Sequence, residues 1–123
     1  MKTIPASQPL DHYIRQHGVR PGEAKLKQFK LALGLRGTPH LRSQENAEDP
    51  TVYIKLFDPT GSWTFYILEW DQQDQIFGYC IGLVPEFGYA SLTELASVKG
   101  QLGIGLEVDV WFLPQRLKTA LNA

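Results

Sequence analysis

SWTFYILEWDQQDQIFGYCIGLV, residues 62–84, places two apolar runs on either side of a polar turn. Both runs are rich in aromatic and β-branched side chains, which favour β-strands. Before them, Asp58-Pro59-Thr60-Gly61 has turn chemistry, because Pro presets the first central position and Gly accepts positive φ. We therefore predict that Thr51–Phe57 and Ser62–Trp70 pair as an antiparallel hairpin and that Gln75–Val84 joins the same sheet.

Two glycines, Gly78 and Gly82, interrupt the third of these predicted strands. A glycine weakens a strand unless another backbone or a bulky ring lies across it. We expect a close-packed aromatic side chain from a neighbouring strand, such as Trp63 or Tyr66, to occupy that space.

The segment after these strands predicts two helices and a fourth strand. Ser91-Leu92-Thr93-Glu94 is a capping box, in which side chains satisfy free backbone N–H groups at a helix start. Leu106–Leu113 alternates apolar and polar residues as a strand does. Pro114 suits the first position of a C-terminal helix with Leu117 and Leu121 facing inward.

The N-terminal region predicts two further helices. Ser7 is the expected N-cap of the first helix, with Leu10 on its apolar side. The second helix is predicted from about Glu23 to Leu33, with Gly34 as its end. A helix-turn-helix is disfavoured, because the link holds Gly, Pro and Gly and no third helix follows.

The elements together predict an α+β fold. It has an antiparallel sheet of about four strands, with short helices at the N-terminus, after the third strand and at the C-terminus. A chain of 123 residues is the size of a single domain. We assign residues 1–22 to a basic, loosely ordered N-terminal arm and residues 23–123 to a single α+β domain.

Composition indicates a cytoplasmic protein. The one cysteine, Cys80, excludes an intramolecular disulfide. The N-terminus lacks the pattern of a signal peptide, and no apolar run reaches the roughly 18 residues of a membrane span. No motif in the sequence calls for a cofactor.

Charge is distributed unevenly along the chain. Residues 1–42 carry eight Lys and Arg against two acids, whereas residues 43–123 carry four against eleven. The basic arm either lies against the acidic body or meets an anionic partner such as nucleic acid, and we favour the first. The candidate anion-binding residues are Arg15, Arg20, Lys25, Lys27 and Lys30.

Carboxylates are the main candidates for chemistry. If several converged at one edge of the sheet, they could divide acid and base roles or hold a hard cation. A solvated sheet face explains them as well, so we assign no catalytic and no metal-binding residue. His12, His17 and His40 lie far from the acidic block, and Cys80 sits in a strand where a thiol is usually inert.

Aromatic side chains are too numerous for one small core. Strand alternation puts Phe65 and Ile67 on one face and Tyr66 and Leu68 on the other. Rings on the second face are either covered by helices, which we favour, or exposed for binding. The candidate interaction surface comprises Trp63, Tyr66, Glu69, Tyr79, Glu86, Tyr89, Glu107 and Asp109.

The segment Thr51–Pro114 resembles an uncharacterised bacterial family, domain of unknown function 2958, which occurs largely on plasmids and integrative elements. The resemblance rests on Ser62–Tyr66 with Glu69, Phe77-Gly78-Tyr79, Gly82, Glu86–Tyr89, Ser91–Leu95, and the pair Glu107 and Asp109. Val108 departs from the pattern, which has a basic residue there, and the first twenty residues do not match. The resemblance implies a small cytoplasmic accessory protein and no activity.

The sequence leaves three classes of function open, which we rank in order of preference. The leading expectation is a non-enzymatic protein-interaction module that uses the aromatic and acidic face. The alternative is a nucleic-acid-associated protein that uses the basic arm, and a carboxylate-based hydrolase comes third. Of the possible partners we favour a protein, with nucleic acid as the alternative and no membrane.

Overall fold

The computed structural model describes residues 3–11, 24–98 and 105–122 and has an α+β fold. Five strands form one antiparallel sheet in the order β5-β4-β3-β2-β6, and β1 pairs with β7 in a second, two-stranded sheet. The strands are β1 Thr51–Val52, β2 Ile54–Phe57, β3 Thr64–Trp70, β4 Gln75–Ile81, β5 Pro85–Ser91, β6 Glu107–Val108 and β7 Gln115–Arg116. The helices are α1 Ala24–Leu35, α2 Leu92–Ser97 and α3 Leu117–Leu121.

The predicted hairpin is confirmed over Ile54–Phe57, whereas Thr51 and Val52 pair with β7 instead. The third predicted strand joins the same sheet but ends at Ile81. β2 pairs antiparallel with β3 from Ile54 opposite Ile67 to Phe57 opposite Thr64, and β4 pairs with the other side of β3. A register shift between Ile67 and Glu69 interrupts the β3–β4 ladder. Because of this bulge, Leu68 and Glu69 are both buried within the strand.

The sheet contains a strand that the sequence analysis missed. Pro85–Ser91 forms β5 and pairs along its whole length with β4, so the capped helix follows a strand that the prediction omitted. The strand β5 was not predicted because it contains Pro85 and Gly88, and both residue types are rare inside strands. Pro85 is tolerated here because it begins a strand at the edge of the sheet.

The C-terminal boundaries also differ from the prediction. Only Glu107 and Val108 of the predicted fourth strand form a ladder, and the chain turns at Asp109, whose carboxylate accepts from the Trp111 N–H. α3 begins at Leu117 rather than Pro114, because the two residues before it pair with β1. Leu117 is buried as predicted, whereas Leu121 is 39% exposed.

Helix α1 packs on the sheet through the predicted side chains Phe29 and Leu33, both fully buried. Gly34 does not end the helix, which continues to Leu35. Gly37 comes after the last turn with φ of 63°, the left-handed conformation that glycine adopts without strain.

Two apolar clusters cover the two faces of the main sheet. The larger includes Phe65, Ile67 and Trp70 of β3 and contacts α1 and α2. The smaller comprises Val52, Tyr66, Leu68, Leu117 and Ala120, which join β1, β3 and α3. The predicted alternation of Phe65 and Ile67 against Tyr66 and Leu68 is therefore confirmed.

The described part of the N-terminal arm, residues 3–11, packs on the domain. Ile4 is 5% and Leu10 is 1% exposed, and both belong to the larger cluster. The buried guanidinium of Arg36 donates to the backbone carbonyls of Pro5 and Gln8, each at 2.7 Å. Residues 3–11 thus pack on the core, while Arg15 and Arg20 lie outside the described residues.

Glycines opposite each other in β4 and β5 have contrasting surroundings. A Cβ on Gly78 would collide with the Tyr66 carbonyl oxygen and the Phe65 ring, whereas a Cβ on Gly88 would have no atom within 4 Å. At Gly82 the predicted ring is Trp63, whose Nε1 would lie 2.7 Å from an added Cβ.

We expect Gly78→Ala to destabilise the domain by about 2 kcal/mol, the typical cost of overpacking a core. Gly88→Ala is the matched control, and it should raise stability by about 0.5 kcal/mol because glycine disfavours a strand. Urea denaturation followed by circular dichroism measures both. Equal midpoints for the two variants would contradict the close packing at Gly78.

Candidate functional site

Four aromatic side chains form a ladder across β4 and β5. Phe77 stacks on Phe87 with ring centroids 6.1 Å apart and tilts against Tyr89 at 4.8 Å. Tyr79 meets Phe87 edge to face at 4.9 Å. Phe77 and Tyr79 pack against the smaller cluster, but Phe87 and Tyr89 are 52% and 56% exposed. Helix α3 thus covers the β3 end of this face and leaves its β5 end open.

A groove of about 450 Å³ lies beside the ladder, between β4–β5 and the loop of residues 40–50. Leu68, Phe77, Phe87 and Tyr89 supply its apolar wall, while Arg42, Glu45 and Glu48 contribute charged side chains. We call these seven residues the aromatic groove. Arg42 Nε and Glu45 Oε2 form an ion pair at 2.9 Å, so the unpaired charge of the groove is negative.

Glu69 holds the loop that forms one wall of this groove. Its carboxylate is 2% exposed and accepts from the backbone N–H groups of Arg42 at 2.7 Å and Gln44 at 2.8 Å. The Gln44 side chain then bonds both the N–H and the carbonyl of Thr51 and the carbonyl of Leu68. Glu69 therefore has a positioning role, because its two oxygens are occupied by the loop backbone.

The other predicted surface residues do not gather at this groove. Trp63 covers Gly82, and Tyr66 is buried at 7% exposure. Burial raises the pKa of the Tyr66 phenol, and the negative charge of Asp109 adds to the shift. Glu86 is exposed on β5.

The acidic residues Glu107 and Asp109 lie at the opposite edge of the sheet from β5. Lys25 Nζ is 3.9 Å from Glu107, and Lys55 Nζ is 3.8 Å from Asp109. The carboxylates considered for shared acid and base chemistry are therefore dispersed. Among residues 3–11, 24–98 and 105–122, no three His, Cys, Asp or Glu side chains form a group that could hold a metal ion.

Of the predicted anion-binding residues, three lie in the described part of the chain. Lys25 Nζ donates to the Leu106 carbonyl at 2.7 Å besides its approach to Glu107. Lys27 is an exposed member of α1 with a further interaction of its own. Lys30 is near enough to Asp74 to favour its ionised form. Two of the three thus face acidic side chains of the body.

Residues 29–121 match the model of one protein family, described as Protein of unknown function (DUF2958). The chain belongs to this family. The match includes the whole aromatic groove and excludes the N-terminal segment that packs on the core. No curated protein and no solved structure matches the chain. In the described residues, no helix has the length and apolar character needed to cross a membrane.

Within the DUF2958 match, sequence reasoning overlooked three residues that build the groove. Phe77 and Phe87 belong to the motifs quoted for the family resemblance, but the candidate surface does not include them. Alternation of Phe87 and Tyr89 around Gly88 was the signal that could have placed both on one face. The bridging role of Gln44 had no local signal, since its partners are far away in sequence.

The Ser91 half of the predicted capping box at α2 is confirmed, whereas among the described residues no hydrogen bond joins the Ser91 N–H to the Glu94 carboxylate. Asp74 is an additional member of the cap. Ser91 Oγ accepts from the Glu94 N–H at 3.3 Å. Asp74, in the turn before β4, accepts from the Ser91 hydroxyl and from both the N–H and the hydroxyl of Thr93. Hydrogen bonds from Ser91 and then Thr93 lower the pKa of the Asp74 carboxyl below its ordinary value of 3.8.

We expect Asp74→Ala to destabilise the domain by about 1 kcal/mol at neutral pH, the usual cost of a lost helix cap. Because folding lowers this pKa, the stabilisation is fully present above the ordinary value and is lost as pH falls through the folded value. Wild type and variant should therefore converge in stability once the pH falls below the folded pKa of Asp74, which lies under 3.8. Urea melts at neutral and acidic pH test this, and a constant difference would contradict it.

Proposed function

We propose that this domain is a non-enzymatic protein-interaction module that binds a polypeptide partner at the aromatic groove. The observation that carries the proposal is the exposure of Phe87 and Tyr89 on a face whose other rings are partly or fully buried. Large aromatic side chains beside a concave apolar surface are the usual anchors of protein interfaces. An exposed cluster of this kind on a small domain indicates an interaction site.

The charges of the groove favour a partner of particular chemistry. Arg42 is already paired with Glu45, and Glu48 has no cationic partner among the described residues. A segment with an apolar side chain for the groove and a Lys or Arg next to it complements both properties.

The other functions have less support. Nucleic-acid binding through the basic arm would use Lys25, which already contacts Glu107 and the Leu106 carbonyl. Hydrolysis would need carboxylates that converge, and Glu69 is buried with each oxygen accepting from a backbone N–H group. A cytoplasmic role as an accessory protein of a mobile element is part of the proposal and rests on the family resemblance.

Affinity capture from host-cell extract, with and without nuclease, tests the proposal. The wild-type chain should retain partners that survive nuclease, and Phe87→Ser with Tyr89→Ser should lose them. Trp111→Ser is the matched control, because Trp111 is 62% exposed but lies beyond β6 at the other edge of the sheet. Capture that disappears with nuclease, or that the double variant leaves unchanged, would refute the proposed function.

A further inference from the structure

β5 is an edge strand of seven residues. Its inner side pairs with β4, and among the described residues no strand lies on its outer side. Long open edges are templates for another strand, which is why proteins usually cover or charge them. β5 carries one charged residue, Glu86, and exposes Phe87 and Tyr89.

The hydrogen-bond pattern shows which backbone groups of β5 point outward. The Leu92 N–H donates to the Asp74 carbonyl at 2.7 Å, one position beyond the Ser91–Gln75 pair. Hydrogen-bonded and non-hydrogen-bonded pairs alternate in an antiparallel ladder. Every second residue before Leu92 therefore directs its N–H and C=O groups to β4, and these residues are Ala90, Gly88 and Glu86. Phe87 and Tyr89 direct theirs away from β4, and no described residue bonds to them.

Gly88, at the centre of the strand, is not required by packing against the residues that the structure describes. Its partner Gly78 has no room for a Cβ, whereas a Cβ on Gly88 would have no neighbour within 4 Å. Glycine inside a strand marks a place where another backbone approaches closely. No backbone of the described residues lies there, so a second chain can supply it.

We propose that β5 pairs antiparallel with β5 of a second copy of this chain, about a two-fold axis at Gly88. This register overlaps all seven residues and sets Phe87 opposite Tyr89 of the second copy, in pairs that exchange backbone hydrogen bonds. Gly88 then faces its own counterpart in a non-bonded pair, where the two Cα atoms approach to about 4.5 Å.

The same symmetry makes the strand complementary to itself. Each Phe87 meets a Tyr89, which extends the aromatic ladder of β4 and β5 across the axis, and aromatic cross-strand pairs stabilise a sheet. Glu86 faces Ala90 of the second copy, so the acidic side chains are not opposed. Pro85, which has no N–H, lies at the end of the strand, where the loss of one bond matters least.

The expected dimer is reversible. One pair of seven-residue strands buries an area at the low end of specific interfaces, below about 1,200 Å². The monomer–dimer ratio should therefore depend on protein concentration. The pairing goes beyond the proposed function, because it requires no other partner and its hydrogen bonds come from the backbone edge of β5.

Sedimentation velocity of the purified full chain over a range of concentrations tests the pairing. Wild type should shift from monomer to dimer as concentration rises. Gly88→Glu and Gly88→Lys should each stay monomeric, because each sets like charges directly opposite across the axis. An equimolar mixture of the two variants should recover the dimer, since Glu then faces Lys.

Three results would overturn the proposal: a wild type that is monomeric throughout, a Gly88→Glu variant that dimerises like wild type, or a mixture that stays monomeric. Thr119→Glu, on the exposed side of α3, controls for the added charge and should dimerise as wild type does. Circular dichroism melts establish that the Gly88 variants are folded. The Gly88 variants keep Phe87 and Tyr89, so the result of the affinity-capture experiment does not depend on the result of the sedimentation experiment.

Discussion

Removal of residues 1–22 is expected to destabilise the domain by roughly 3–6 kcal/mol, since burying one large aliphatic side chain contributes about 1.5–3 kcal/mol. The truncation removes two such side chains, Ile4 and Leu10, from the larger cluster. It also removes the carbonyls of Pro5 and Gln8, to which the buried guanidinium of Arg36 donates. Burial already lowers the pKa of Arg36, so the loss of hydrogen-bond acceptors adds to the cost.

Urea denaturation of the full and truncated chains measures this effect, and point variants locate it. Leu10→Ala alone should cost about 3 kcal/mol, as is typical for leucine in a core. Ser7→Ala should change stability little, because Ser7 is exposed in a turn and is not the N-cap predicted for it, since the first described helical residue is Asp11. A truncated chain that melts like the full chain would show that the arm is separable, as its composition suggested.

Glu69→Ala is expected to destabilise the domain by about 3 kcal/mol, because it leaves the N–H groups of Arg42 and Gln44 without their charged acceptor. The two bonds of 2.7 and 2.8 Å join β3 to the loop of residues 40–50. That loop should detach from the sheet and open the wall of the aromatic groove. Glu69→Gln should cost less, since one oxygen still accepts while the amide nitrogen cannot.

Denaturant melts and amide hydrogen exchange of Arg42 and Gln44 test this prediction. Glu86→Ala is the matched control, because Glu86 is an exposed glutamate in the same sheet and should affect neither measurement. Slow exchange at both amides in Glu69→Ala would contradict the positioning role of this carboxylate.

Much of the sheet could be predicted from local sequence. The turn residues Asp58–Gly61 and the alternating apolar side chains specified the β2–β3 hairpin, because turn conformation and strand period depend on neighbours in the chain. The N-cap at Ser91 was recognisable for the same reason. β5 was not, because Pro85 and Gly88 contradict the average preference of strands while the position at the sheet edge permits them.

The candidate site could be predicted only in part. Tyr89 and Glu69 were named from the sequence, but with the wrong environment for Glu69, which is buried beneath a loop instead of exposed. A β-bulge at Leu68 brings that carboxylate to the loop, and a bulge follows from strand pairing rather than from residue type. Gln44 and Asp74 were missed because each bonds to groups many residues away.

By itself the sequence determined the α+β class, the central hairpin, the capped helix and the family, since each depends on patterns within a few residues or on the order of motifs. Tertiary structure alone decided that Ile4 and Leu10 belong to the core and that the carboxylates are dispersed. It also decided that one end of an aromatic face stays open. These properties depend on which distant segments pack together, and a pattern of neighbouring residues does not determine the free energy of that packing.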